Sequence, residues 1–315
     1  MGIMNGVAAD PHRANNHLVS KGYQVNFAGP GDRLAILSAT TGKVVDNRPV
    51  KTNWALRDFL TVTRVDGSLD DSLERDFGKV ERKVLNQIRD ITNTVVTPEQ
   101  KEALDQVAGI HLVRSLSFAA RHEEVVEQWF NDSVGRFSND PHVYSLFEKE
   151  HGRSPEPDEL RRMVTEVAMK AMMAGDRLTG GMRRGADALP EILANWRVQL
   201  VEAPDSMPGF VLADQPIVHA LAEEGRYGFR SGLAVGDANL LLMPIRRRLA
   251  AFFTARPLRH FTLRTKRGLD TINAVFCRSA SVEVACHPDD ALTTSRLIRN
   301  LNRYPASALH DGRLR

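Results

Sequence analysis

The chain has 315 residues, 42 basic and 39 acidic, with 42% of them apolar and only 2 cysteines. That length holds one large domain or two ordinary ones, and the apolar share excludes a disordered or collagen-like chain. The longest charge-free apolar run, Asn239 to Ile245, is too short to span a bilayer, and residues 1–10 lack the basic flank and apolar stretch of a signal peptide.

Residues 17–27 (HLVSKGYQVNF) place Leu18, Val25 and Phe27 among polar residues and suit a short helix or a strand. Arg33 to Ser38 and Val44 to Lys51 are strand-like and joined at residues 39–43, which predicts a β-hairpin. From Ser68 the period lengthens: Leu73, Phe77, Val80, Val84, Ile88 and Ile91 form the stripe of an amphipathic helix. Thr97-Pro98-Glu99-Gln100 carries an N-cap, a Pro at the first helical position and a Gln at the third, and opens a long helix running through Leu104, Val107, Leu112 and Phe118. Residues 131–159, polar with prolines at 141, 155 and 157, are the best place for a boundary or a surface excursion within one large domain. Helix resumes over residues 160–173. The glycines at 175, 180, 181 and 185 then predict a loop to Asp187, before a short helix entered at Pro190. Residues 196–201, 209–213, 239–243 and 249–254 are apolar runs of strand length, and residues 268–286 and 291–301 favour helices. This order of hairpin, helices, strands and helices predicts an α+β fold.

Charge is unevenly spread. Residues 1–150 carry a net of −3 and residues 151–315 a net of +6. Between Asp237 and Asp270 there is no acid, yet Arg246, Arg247, Arg248, Arg256, Arg259, Arg264, Lys266 and Arg267 fall there, with His260 among them. Such a segment favours a polyanion, RNA or tRNA among them, although a solvated face with a few salt bridges gives the same pattern. Cys277 and Cys286 lie nine apart without a CxxC pair, which suits buried reduced thiols better than a disulfide or a zinc site.

Glu74 and Glu81 are two turns apart and share one helix face. Two such carboxylates raise one another's pKa or hold a divalent cation jointly, with Mg²⁺ the candidate; otherwise they are solvated and pair with Arg82 and Lys83. His111 and Arg114 fall on the apolar stripe of the next helix. An Arg there needs an anionic ligand or an internal partner, Glu81 or Glu74 being available. Asp214 follows an apolar strand and precedes Gln215-Pro216, a placement typical of clefts and equally of a side-chain-stabilised turn. Asn273 sits in an apolar stretch, where its amide orients a substrate or satisfies backbone. The glycine and arginine run 175–185 is a weak phosphate-loop signal, and no GxSxG, HExxH or kinase signature is present.

The segment His17-Leu-Val-Ser-Lys-Gly-Tyr23-Gln-Val-Asn-Phe27 resembles the opening of a bacterial family catalogued as domain of unknown function 4238, with Ser20 where Pro is usual and Gln24 where Leu is usual. The acidic helix around Glu74 and Glu81, the helix bearing Arg114, Trp196 with its strand and the Asp214 to Pro216 step follow in the same order. The resemblance spans about residues 15–300 and implies an architecture and a set of polar positions: His17, Glu74, Glu81, Arg114, Asp214 and Asn273. Gathered in one pocket, these supply a general base, acids and an anion-binding Arg.

A cytoplasmic enzyme of nucleic-acid or phosphate chemistry is therefore expected, most simply a phosphodiester hydrolase. His17, Glu74, Glu81 and Asp214 would be its catalytic groups, and Arg114, Asn273 and Arg246 to Arg248 its substrate contacts. An aminoacyl-tRNA-dependent transferase, a non-catalytic binding module for nucleic acid or protein, and a small-molecule enzyme using Arg114 as a carboxylate clamp are the alternatives.

Overall fold

The computed structural model describes residues 15–63, 68–92, 95–156, 158–172, 177–255 and 263–304. The first strand, β1 (Asn15–His17), is followed by α1 (Lys21–Gln24) and one 3₁₀ turn, so residues 17–27 hold both of the expected elements. β2 (Arg33–Ser38) and β3 (Val44–Pro49) form the predicted antiparallel hairpin. β4 (Ala55–Arg57) pairs back onto β1, and β5 (Val62–Thr63) pairs with β6 (Leu69–Asp70).

α2 (Ser72–Arg89) buries Leu73, Phe77, Val84 and Ile88, the stripe read from its periodicity. α3 (Pro98–Val113) opens on a reciprocal cap, in which Gln100 N donates to Thr97 Oγ1 at 3.2 Å and Thr97 N to Gln100 Oε1 at 3.1 Å. The expected single helix through Phe118 is two helices. α3 stops at Val113, Ser115 takes an extended conformation, and α4 (Leu116–Phe137) starts with Phe118 N donating to Ser115 Oγ at 3.1 Å. A serine hydroxyl that captures a backbone N–H competes with helix continuation, and here it wins.

The polar stretch 131–159 is mostly helical: the end of α4, then α5 (Pro141–His151) with Asp140 capping and Pro141 in its first turn. α6 (Glu159–Met172) follows. Gly175 lies outside the described residues, and from residue 177 on the expected glycine loop is helix, α7 (Arg177–Leu193), with Pro190 inside it instead of at its start. Close packing explains the difference. A Cβ on Gly185 would sit 2.8 Å from Val113, and one on Gly181 would sit 2.5 Å from His122. On the facing helix, a Cβ on Gly109 would lie 2.8 Å from the Ala186 carbonyl oxygen. Each glycine costs helix propensity of about 1 kcal/mol, which the contact it permits offsets.

The last third builds two sheets. β7 (Arg197–Glu202), β8 (Leu212–Ala213), β9 (Val218–Leu221), β10 (Arg226–Tyr227), β11 (Leu240–Arg246) and β12 (Leu249–Thr254) precede α8 (Lys266–Ser279), β13 (Glu283–Cys286) and α9 (Ala291–Arg299). One sheet runs β10-β9-β11-β12-β7 and the other β3-β2-β13-β8, all neighbours antiparallel. The expectation of helix through Cys286 is corrected: α8 ends at Ser279 and Cys286 lies in β13, an interior strand paired with the N-terminal hairpin. Both cysteines are free and buried, and burial pushes the Cys286 thiol up to about 12. The fold is α+β. Among the described residues no helix is long and apolar enough to cross a membrane.

Gly109→Val should destabilise the protein by about 1–3 kcal/mol in urea unfolding, because the Ala186 backbone cannot move aside as a flexible side chain would.

Candidate functional site

Arg114 closes α3 and is 1% exposed. Its Nη1 donates to Glu81 Oε1 at 2.9 Å and its Nη2 to Glu74 Oε2 at 3.1 Å, while the guanidinium lies 5.1 Å from the Phe77 ring centre. The three residues expected to cooperate do meet, as an internal ion pair. Burial pushes the Glu81 carboxyl up; Arg114 opposes the shift and Glu74 adds to it. His111 sits beside them, fully buried. Its Nδ1 donates to Val107 O at 3.0 Å, and its Nε2 accepts the Ser20 N–H at 3.3 Å, which fixes a neutral tautomer. Burial, then the Arg114 charge, lowers its pKa to about 3.

The remaining expected site residues have partners of their own. His17 Nε2 lies 3.2 Å from Lys51 O. Asp214 accepts the backbone N–H groups of Ser281 and Val282 at 2.7 Å and of Glu283 at 3.1 Å. Burial raises its pKa and those three donors oppose the rise. Asn273 accepts from Val211 N at 3.1 Å and donates to Gly209 O at 3.0 Å. In the basic segment, Arg247 Nε donates to Asp290 at 3.0 Å, and Arg248 donates to the carbonyls of Pro204, Asp205, Met207 and Pro208. Arg246 is half-buried at the end of β11, and Arg264, Lys266 and Arg267 are exposed. Arg256, Arg259 and His260 lie outside the described residues. Among the described residues no group of three or more His, Cys, Asp or Glu side chains gathers to hold a metal ion.

A hollow does form where the break between α3 and α4 meets the loop after β10. A cleft of about 410 Å³ is lined by Ser117, Arg121, Glu124, Phe229, Arg230 and Ser281, with Arg121 and Glu124 paired at 3.0 Å on its outer side, so that Arg230 is its unpaired cation among the described residues. An inner pocket of about 40 Å³ shares Ser117, Phe229 and Arg230 with it and adds Ser115, Gln215, His219, Arg278 and Ser279. The first turn of α4 forms one wall, and helix N-termini favour negative charge. Arg278 Nη2 donates to Leu301 O, but its Nη1 is buried without a hydrogen-bond partner. Arg230 Nη1 donates to Ala280 O at 3.1 Å. Neither guanidinium is in an ion pair among the described residues; Asp214 is the carboxylate that senses Arg230. His219 is 1% exposed, and burial lowers its pKa.

A larger groove of about 580 Å³ beside Trp196 is less suited to chemistry. Its Lys101 is already tied to Asp105 at 2.6 Å and to Leu193 O at 2.9 Å.

Two of the expected residues border the cleft in sequence: Arg114 precedes the cap Ser115, and Asp214 precedes Gln215. Arg114 stands at the C-cap of α3, next to the Ser115 that caps α4, and Asp214 holds the backbone at Ser281, so both stand behind its walls. His219, Arg230 and Arg278 were missed. The available signal was the run 225–232 (GRYGFRSG), whose glycines 225, 228 and 232 all adopt positive φ and bring Arg230 to the cleft.

The structure is thus an α+β protein with a buried Glu-Arg-Glu cluster beside a cationic cleft. The chain belongs to the family described as protein of unknown function (DUF4238), whose model matches residues 15–290. No curated protein and no solved structure matches it.

Arg114→Met should cost about 3–5 kcal/mol in chemical denaturation, since it leaves buried carboxylate charge unpaired, and adding Glu81→Gln should recover part of the loss. His111 supplies a pH test. Its folded pKa, about 3, lies below the unfolded value near 6.5, so the unfolded chain binds the extra proton. Stability should fall as pH drops from about 6.5 toward 3, and His111→Gln should flatten that fall by up to about 1.4 kcal/mol per pH unit.

Proposed function

We propose that the protein is an enzyme acting on a phosphate-bearing substrate, whose anionic group enters the cleft between the first turn of α4 and Arg230. One observation carries this reading. Two guanidiniums line the inner pocket outside any ion pair among the described residues, and a buried Nη1–H of Arg278 has no acceptor. An unmet charged donor in a pocket is a strong pull for an oxyanion, and guanidinium matches phosphate geometry.

Several features favour a compact ligand over a long polynucleotide. Arg247 and Arg248, expected to hold a nucleic-acid backbone, are spent on Asp290 and on carbonyls of residues 204–208. Glu74 and Glu81, expected to hold Mg²⁺ or move protons, are spent on Arg114. Metal-assisted phosphodiester hydrolysis therefore draws no support from the donor set. The cleft volume of about 410 Å³ falls within the usual range for small-molecule sites, about 300–1,000 Å³.

Calorimetric titration of the full chain with inorganic phosphate tests the binding. Arg278→Met and Arg230→Met should each weaken it about tenfold to a hundredfold. Absent binding, or variants that bind as wild type does, would remove the reading. Turnover of p-nitrophenyl phosphate against its bis-ester tests the chemistry.

A further inference from the structure

The inner pocket combines several donors with one buried acceptor that has nothing to accept. His219 stands on β9 and lines the pocket with Arg278 and Ser115. Its Nε2 lies 3.0 Å from the Leu233 carbonyl, an obligate acceptor, so Nε2 carries the ring proton and Nδ1 keeps its lone pair. The Phe229 ring packs edge-on against the imidazole, 4.6 Å between centres, which holds the ring in place. Nδ1 is buried and has no hydrogen-bond partner. A buried acceptor left unsatisfied costs free energy, and a ligand that brings a donor recovers it.

We infer that His219 is a specificity-determining residue, whose Nδ1 accepts a hydrogen bond from the P–OH of a protonated phosphate. This rests on the anion-binding reading of the cleft and narrows it. The guanidiniums alone would take sulfate, carboxylate or phosphate alike. A bare imidazole lone pair rejects any oxyanion without a proton, because it faces a second lone pair. The occupant is inorganic phosphate or a terminal phosphate monoester carrying one proton, not an internal phosphodiester, whose single strongly acidic P–OH has lost its proton at neutral pH. The same logic lets a site built around one hydrogen bond discriminate strongly against a ligand lacking it.

Phosphate and sulfate are the probes. Both are tetrahedral, and at neutral pH inorganic phosphate keeps at least one P–OH where sulfate has none. In calorimetric titrations of the full chain at matched ionic strength, phosphate should bind at least about tenfold more tightly than sulfate. His219→Leu should erase that preference while Arg278 still governs the affinity for both ions. Equal binding of the two ions to wild type would overturn the assignment of His219 and leave the cleft reading intact. Binding of neither ion would overturn both. The wild-type comparison stands even if His219→Leu does not fold, and retained phosphate preference in a folded His219→Leu would also refute the assignment.

Discussion

A guanidinium enclosed by two carboxylates stands at the point where α3 gives way to α4. Removing three charges from water is expensive, and a buried ion pair commonly returns little net stability over an apolar replacement. What the Glu81–Arg114–Glu74 arrangement secures is position. Arg114 is held on two sides by α2, so the next residue, Ser115, is delivered where its hydroxyl can cap a new helix. The first turn of α4 then faces the loop after β10, with Phe118 packed edge-on against Phe229 at 5.8 Å between ring centres. Without that break, α3 would run on and no wall would face Arg230.

The opposite walls are held in a comparable way. Asp214 accepts three successive N–H groups from residues 281–283, which immobilises the stretch linking α8 to β13. Arg230 reaches that stretch through the Ala280 carbonyl, and Gln215 binds both Ser117 and Ser281. Three distant parts of the chain are therefore joined at one polar seam. In the pocket beside that seam, the buried Nδ1 of His219 and Nη1 of Arg278 are the groups left without a partner among the described residues.

The sequence was informative about elements whose signals are local. The α2 stripe, the Thr97 capping box and the β2–β3 hairpin each depend on residues within one or two turns of one another, and all three formed as read. It misled where a distant partner decides. Gly181 and Gly185 look like a loop until α4 and α3 press against them, and Cys286 looks helical until β2 pairs beside it. The site divides along the same line. Arg114, Glu74 and Glu81 were legible because an arginine on an apolar helix face demands a carboxylate and two were in reach. His219 and Arg278 were not, because nothing near them in the sequence shows which hydrogen bonds they will lack.

The strand β13 lies between β2 and β8, so an interior member of the sheet begun by the β2–β3 hairpin comes from far along the sequence, after every helix of the central region. During synthesis the hairpin must wait, with one ladder of N–H and C=O groups unmatched, until residues 283–286 have left the ribosome. Non-local pairing of this kind slows folding and leaves an edge available to neighbouring chains in the interval. Slow refolding after dilution from denaturant is the expected cost of this strand order.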